Sequence, residues 1–414
     1  MRLFFDGFAF YRKLGLNNLL TRVPKMEVPK NLFKILLSAA IAVLSFLVVP
    51  FANGQELVVG QVASHTHVVT TLNAKANSIG LKVYFDSINA NGGIHGRMLK
   101  LVTKDDGLVP AKMIELTKEF IADNNVVALA GYINTSGLTE LAKQDVPGQG
   151  GIALIAPLQG DKNIVGASNF FPFRSGYSDE VVALLKEAVY TQKKKVVVVY
   201  WNVSFGPAML GVAEEWSKKE GLNVAAWIKL DATPQAQDKF GAIMKEAVAA
   251  ALSQSPDAII MINSSRYTLE FVKQFKNSPE GRAQIYVMSV VPPADLVKAA
   301  GAANARGIVI AQAVPFPFTP KLPLVRDYQK LMQQYAPNEP LSFSTLEGFA
   351  AGKITVEAIK RAGPNPTREK VLKALNTMGE FNLGGVYVNY SPKERRGWGG
   401  VDLTIIGPDG KLMR

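Results

Sequence analysis

The sequence predicts an α/β protein made of two doubly wound parallel-sheet lobes joined by three chain crossings. Three observations carry this. Strand and helix patterns alternate from residue 55 onward. Stretches rich in Pro and Phe, Asn169-Phe-Phe-Pro-Phe173 and Ala313-Val-Pro-Phe-Pro-Phe-Thr-Pro320, interrupt the alternation where a two-lobed chain would cross. About 360 residues follow an N-terminal leader, roughly twice a common domain length.

Each element has a local reason. Leu57, Val58, Val59 and Val62 make Gln55 to Val62 a buried first strand. Ile79, Val83, Phe85 and Ile88 recur at helical spacing, so a helix spans Ser78 to Ala90 and ends at Asn91-Gly92-Gly93, residues that tolerate positive φ. Met98, Leu99, Leu101 and Val102 form a strand that stops at the turn Asp105-Asp106-Gly107. A helix from Met113 to Asn124, a strand from Val126 to Ala130, a helix start at Leu138 to Lys143 and a strand from Ile152 to Ala156 follow. A second cycle runs through helix 179–191, strand 196–200, helix 207–220, strand 224–230, helix 237–253 and strand 258–262. Lys353 to Arg361 reads as a further helix.

Residues Ile35 to Val49 are uncharged, preceded by Lys30 and Lys34 and followed by small residues at Ala52 and Gly54. Fifteen residues are too few for the roughly 20 of a membrane span and suit a signal peptide cut between Gly54 and Gln55. The stretch before Met26 has no second apolar core, which favours Met26 over Met1 as the true start. No cysteine is present to take a lipid anchor or a disulfide, so the core alone must hold the exported chain. The net charge of +12 falls to about +7 without the leader, and its dispersion argues against nucleic acid.

Catalytic and cofactor motifs fail on spacing. Gly348 and Gly352-Lys353-Ile354 lack the separation and the Ser or Thr of a phosphate loop, so packing glycines are the better reading. His65 and His67 have no third metal ligand nearby, and His95 sits inside a glycine turn. No Gly-x-Ser-x-Gly elbow and no dinucleotide fingerprint occur. A non-enzymatic binding role without metal or cofactor is therefore expected.

Asn89-Ala-Asn-Gly-Gly-Ile-His-Gly-Arg97 with the following Asp105-Asp106 resembles the first βαβ unit of type I periplasmic solute-binding proteins, in the leucine/isoleucine/valine-binding branch. Ser342-Phe-Ser-Thr-Leu-Glu-Gly-Phe-Ala-Ala-Gly352 and Phe381-Asn-Leu-Gly-Gly-Val-Tyr-Val-Asn-Tyr-Ser391 are similar to the same family. The resemblance implies capture of a small solute by clamshell closure and delivery to an inner-membrane ABC permease. It also implies a periplasmic location, and a monomer is expected. A ligand sensor of the same fold, docking on a signalling receptor, is the alternative. Lobe I is expected at 55–173 and 315–383, and lobe II at 174–314 and 384–414.

Open α/β sheets bind ligands at strand carboxyl ends, which selects the candidate site. After Ala130 come Asn134, Thr135 and Ser136, whose hydroxyls and N–H groups suit a carboxylate or an ordinary helix cap. Leu158, Gln159 and Gly160 stand where the resemblance implies contacts to the ligand's main-chain atoms, with Gly160 limited to backbone contact. Tyr177, Phe205 and Tyr267 are candidates for the cleft wall, and Arg266 for pairing with a carboxylate, against the plainer reading of a solvated surface arginine. Ser289 lies in the loop Tyr286-Val-Met-Ser-Val-Val-Pro292, where amino-acid binders of this family place an acid for the ligand's ammonium. No acid stands there, so either an acid elsewhere, such as Asp179 or Glu347, substitutes or the ligand has no amine, and a ligand without an amine is expected to bind better than free leucine.

Overall fold

The computed structural model describes residues 56–66, 71–203 and 205–414, all in the unit Asn53–Arg414. The leader, its cleavage site, both start codons and His67 lie outside the described residues. In chain order, the first part contains β1 (Leu57–Val62), α1 (Thr71–Asn89), β2 (Leu99–Lys104), α2 (Pro110–Ala122), β3 (Val126–Ala130), α3 (Thr135–Lys143), α4 (Val146–Gln149), β4 (Leu154–Ile155), α5 (Lys162–Val165) and β5 (Phe170–Phe171). Next come α6 (Tyr177–Tyr190), β6 (Val196–Trp201), α7 (Gly206–Glu220), β7 (Val224–Leu230), α8 (Phe240–Ser253), β8 (Ala258–Ile262), α9 (Ser265–Asn277), β9 (Gln284–Val287), α10 (Pro293–Ala300), α11 (Ala302–Ala305) and β10 (Val309–Gln312). The last part holds α12 (Pro323–Tyr335), α13 (Phe343–Arg361), α14 (Arg368–Asn376), β11 (Gly379–Asn382), β12 (Tyr387–Tyr390), β13 (Arg395–Arg396), β14 (Asp402–Ile406) and β15 (Leu412–Met413).

The first sheet is parallel, in the order β2-β1-β3-β4-β5. The second repeats that plan as β7-β6-β8-β9-β10, then adds β14 and β15 antiparallel at the β10 edge. Each sheet therefore reverses direction of winding once, between β1 and β3 and between β6 and β8. Those switch points leave a crevice at the strand carboxyl ends. Central strands such as β8, Ala258-Ile-Ile-Met-Ile262, are buried throughout because helices cover both faces.

Two helices start earlier than their sequences suggest. Helix α1 begins at Thr71 instead of Ser78, and α13 begins at Phe343 instead of Lys353. In α13 the glycines at 348 and 352 weaken the local helix signal by about 1 kcal/mol each. Packing overrides that cost. A Cβ on Gly348 would collide with the Asn77 carbonyl, and one on Gly80 with the Thr345 carbonyl, so the glycines let α1 and α13 touch backbone to backbone. Tyr84 then meets Phe349 edge-on at 5.1 Å, and Ser342 caps α13 by accepting from the Thr345 N–H at 3.1 Å.

Residues 384–396, expected in the second lobe, sit elsewhere. Leu383, Val386, Val388 and Tyr390 are buried in the same core as Leu57, Val59 and Phe349. Strands β11, β12 and β13 form a small antiparallel sheet of their own, and the Tyr390 hydroxyl donates to the Pro172 carbonyl at 2.7 Å. Alternating apolar residues on β12 need a buried face, and the first core supplies it. The chain returns to the second sheet only at β14.

Candidate ligand-binding site

Loops from the carboxyl ends of both sheets enclose one cavity of about 460 Å³. The first sheet contributes Ile133 to Ser136 after β3 and Leu158 after β4. The second contributes Trp201, Val203 and Phe205 after β6, Ser264 and Ser265 after β8, and Ser289 and Val290 after β9. These include the loops at both winding reversals, and the volume suits a small molecule.

The loop before α3 is built for precision. Asp106 is fully buried, and its carboxylate accepts from the Ser64 hydroxyl at 2.5 Å and from the Asn134 side-chain amide at 2.8 Å. The Asn134 Oδ1 in turn accepts from the Gly137 N–H at 3.0 Å, which makes Asn134 the N-cap. The Asp105-Asp106-Gly107 turn thus fixes the helix start on which Thr135 and Ser136 stand. Their N–H groups, in the first turn, have no carbonyl four residues back within the helix. A polar or anionic ligand group can take those donors.

The apolar wall comes mainly from the second lobe. Tyr177 and Phe205 rings lie 4.6 Å apart, and Trp201 and Phe205 lie 5.2 Å apart. Burial lifts the Tyr177 hydroxyl to about 12, so it remains a neutral donor. Gly160 lies outside the lining but makes this wall possible. Its carbonyl accepts from the Tyr177 N–H at 2.8 Å, and a Cβ there would strike the Tyr177 ring.

Of the candidates from sequence, Asn134, Thr135, Ser136, Leu158, Tyr177, Phe205 and Ser289 line the cavity, whereas Gln159, Gly160, Arg266 and Tyr267 do not. The Gln159 side chain turns back to accept from the Asp161 N–H at 2.8 Å. The Arg266 guanidinium lies over the Phe240 ring at 4.1 Å and donates to the Gln237 side chain at 2.7 Å, away from the cavity. Tyr267 is buried in the second core, its hydroxyl accepting from Gln237 at 3.1 Å. Helix α9 starts at Ser265, which turns Arg266 and Tyr267 from the strand exit toward α8.

At the charged end of the cavity, sequence reasoning missed Arg174 and Glu180 and named Glu347 only as a substitute acid. Arg174 is buried at the exit from β5, and its guanidinium donates to the Ser289 hydroxyl and, at 3.4 Å, to Glu180 on α6. Glu180 also accepts from the Ser289 N–H at 2.8 Å and the Ser289 hydroxyl at 2.9 Å. Glu347 on α13 lines the cavity 3.9 Å from Arg174. Of the two readings the sequence left open, an acid from elsewhere therefore stands at the cavity. The loop 286–292 carries none, but a helix of the other lobe supplies one. Burial raises both carboxyls above the ordinary glutamate range, an effect Arg174 opposes. Burial alone would lower the Arg174 value, but Glu347, Tyr177 and Glu180 raise it instead.

A sequence model of the family described as Periplasmic binding protein matches residues 59–411. The chain belongs to the periplasmic binding protein family. Its likeness within the family is to the leucine/isoleucine/valine-binding type. Leu/Ile/Val-binding protein homolog 7 of Brucella suis biovar 1 is 23% identical over 300 residues, covering 68% of this chain and 71% of that protein. The substrate-binding periplasmic protein of Ralstonia solanacearum superposes with a TM-score of 0.77 at 26% identity, over 86% of this chain and 99% of that one. LivJ of Streptococcus pneumoniae, solved with isoleucine, has a TM-score of 0.73 at 16% identity over 87% of this chain and 98% of that one, a likeness of fold.

Proposed function

We propose that this protein is the solute receptor of an ABC importer, working in the periplasm as a monomer after cleavage before Gln55. It holds a small amphiphilic solute between its lobes, closes on it and presents it to an inner-membrane permease. It performs no chemistry. The observation that carries this reading is the cavity at both winding reversals, where each sheet offers loops to the same ligand. A polar end of the solute meets the start of α3 at Thr135 and Ser136. An apolar body rests on Leu158, Tyr177, Phe205 and Trp201.

Closure is a hinge motion at three neighbouring strands of chain. The Ser175 N–H donates to the Ala313 carbonyl at 3.1 Å, and the Trp398 N–H donates to the Phe173 carbonyl at 2.6 Å. These contacts support crossings near residues 173–176, 313–317 and 397–401. The first lobe would then comprise 55–173 and 315–396, and the second 174–314 and 397–414.

A thermal-shift screen of the mature protein against small amino acids, carboxylates and amides tests the reading, because a ligand at a hundredfold its Kd adds about 2.7 kcal/mol of stability. A stabilising ligand should also reduce the radius of gyration in solution scattering. A stabilising ligand whose affinity survives Phe205→Ala and Thr135→Ala/Ser136→Ala would show that this cavity is not the site.

A further inference from the structure

Glu347 is only 4% exposed, lines the cavity, and its Oε1 has no hydrogen-bond donor. The cation nearest to it is already engaged, since Arg174 points one nitrogen at Glu180 and Ser289 and reaches Glu347 only at 3.9 Å. Glu180, by contrast, is fully served by the Ser289 N–H, the Ser289 hydroxyl and Arg174. Arg174 and Glu347 are the only charged residues in the lining among the described residues. With Glu180 counted, one guanidinium faces two carboxylates. An ionised Glu347 therefore leaves one negative charge and one empty acceptor facing the ligand, in a place where an unpaired charge is costly.

Resting on the reading of this cavity as the solute site, we propose that Glu347 selects the ligand's charge. It receives a cationic nitrogen of the ligand and excludes compounds whose only charged group is a carboxylate. Arg174 offers such a carboxylate a poor alternative, because its Nη2 is held by Glu180 and Ser289, its Nε is buried out of reach of the cavity, and its Nη1 faces Glu347 at 3.9 Å, where a second carboxylate would be repelled. The selection therefore acts from helix α13 of the first lobe, a position the family resemblance does not assign. It reverses the preference expected from the acid-free loop 286–292.

Calorimetry on the mature protein with three matched sets of probes tests this: L-leucine and L-phenylalanine, their deaminated acids 4-methylpentanoate and 3-phenylpropanoate, and their decarboxylated amines. Amine-bearing probes should bind wild type at least ~10-fold more tightly than the deaminated acids, the size of one charged hydrogen bond. Glu347→Gln should weaken the amine-bearing probes by ~10- to 100-fold and bring the deaminated acids level or ahead. Glu347→Asp, which keeps the charge, should rank the probes as wild type does. Wild type binding the deaminated acids as well as the amines, binding no amine at all, or an unchanged ranking in Glu347→Gln would each overturn the proposal. Phe205→Ala separates the two readings. If it abolishes binding while Glu347→Gln leaves the ranking untouched, the cavity stands and the charge assignment falls.

Discussion

Replacing Arg174 by Met removes the one positive charge between Glu180 and Glu347 while keeping an unbranched apolar stem of similar reach. Both acids are buried, at 0% and 4% exposure, and Arg174 itself is at 6%. Breaking a buried ion pair from one side typically costs about 3–5 kcal/mol, because the partner stays in a low-dielectric site without its counter-ion. Glu180 keeps two donors from Ser289, so the heavier penalty falls on Glu347. Relief comes only by protonation, which gives the loss a pH signature. Burial already holds both carboxyls above their ordinary range, and loss of Arg174 raises them further. A carboxyl whose folded value is raised contributes stability below its unfolded value and loses it as pH rises through the folded value. The deficit of Arg174→Met should therefore be about 3–5 kcal/mol near pH 8 and shrink to about 1–2 kcal/mol near pH 5. Urea unfolding, followed by circular dichroism and tryptophan fluorescence together, measures it. Adding Glu180→Gln and Glu347→Gln should recover most of the loss near pH 8. A deficit under about 1 kcal/mol, or one independent of pH, would refute the electrostatic account.

Thr135→Ala with Ser136→Ala should weaken solute binding by about 1–3 kcal/mol in a folded protein, measured by calorimetry; unchanged affinity would reduce the pair to a helix start. Gly348→Ala should destabilise by about 1–3 kcal/mol in urea, because its Cβ meets the Asn77 carbonyl and α1 and α13 must part. Asp106→Ala should release Asn134 and weaken solute binding while leaving the second lobe's ligand walls unchanged, visible as a lower affinity with retained Trp201 fluorescence. Mass spectrometry of the exported protein should find Gln55 at its N-terminus, and an intact leader in the membrane fraction would contradict the cleavage.

Most of the architecture could be read because it rests on local signals. Strands such as Val126–Ala130, Val224–Leu230 and Ala258–Ile262 stand at the predicted bounds, the first and last of them buried throughout, since a short apolar run between turns has few other uses. Elements decided by distant partners were harder. The first ten residues of α13 hide behind two glycines whose purpose is visible only against α1, where Gly348 meets Asn77, 271 positions away in sequence. The antiparallel edge strands and the segment 384–396 have ordinary alternation, and nothing in alternation names the core it will cover.

The site divides along the same line. Thr135, Ser136, Leu158 and Phe205 follow strands directly, so the rule that ligands sit at strand carboxyl ends finds them. That rule also selected Arg266 and Tyr267, and there it failed, because one turn of α9 carries both side chains toward Gln237 and Phe240. The charge of the pocket belongs to neither category. Arg174, Glu180 and Glu347 come from a lobe crossing and two helices, and Ser289 ties two of them together from a fourth segment. None stands out in its own stretch of sequence: an Arg after a Pro-Phe pair, one Glu in a helical pattern and another in a stretch whose helix the glycines hide. Only folding gives them a common environment in which one carboxylate is left without a donor. Where ligand charge is chosen by such a remainder, the absence of an acid at one loop position says little about the ligand. The balance of every buried charge at the cavity does.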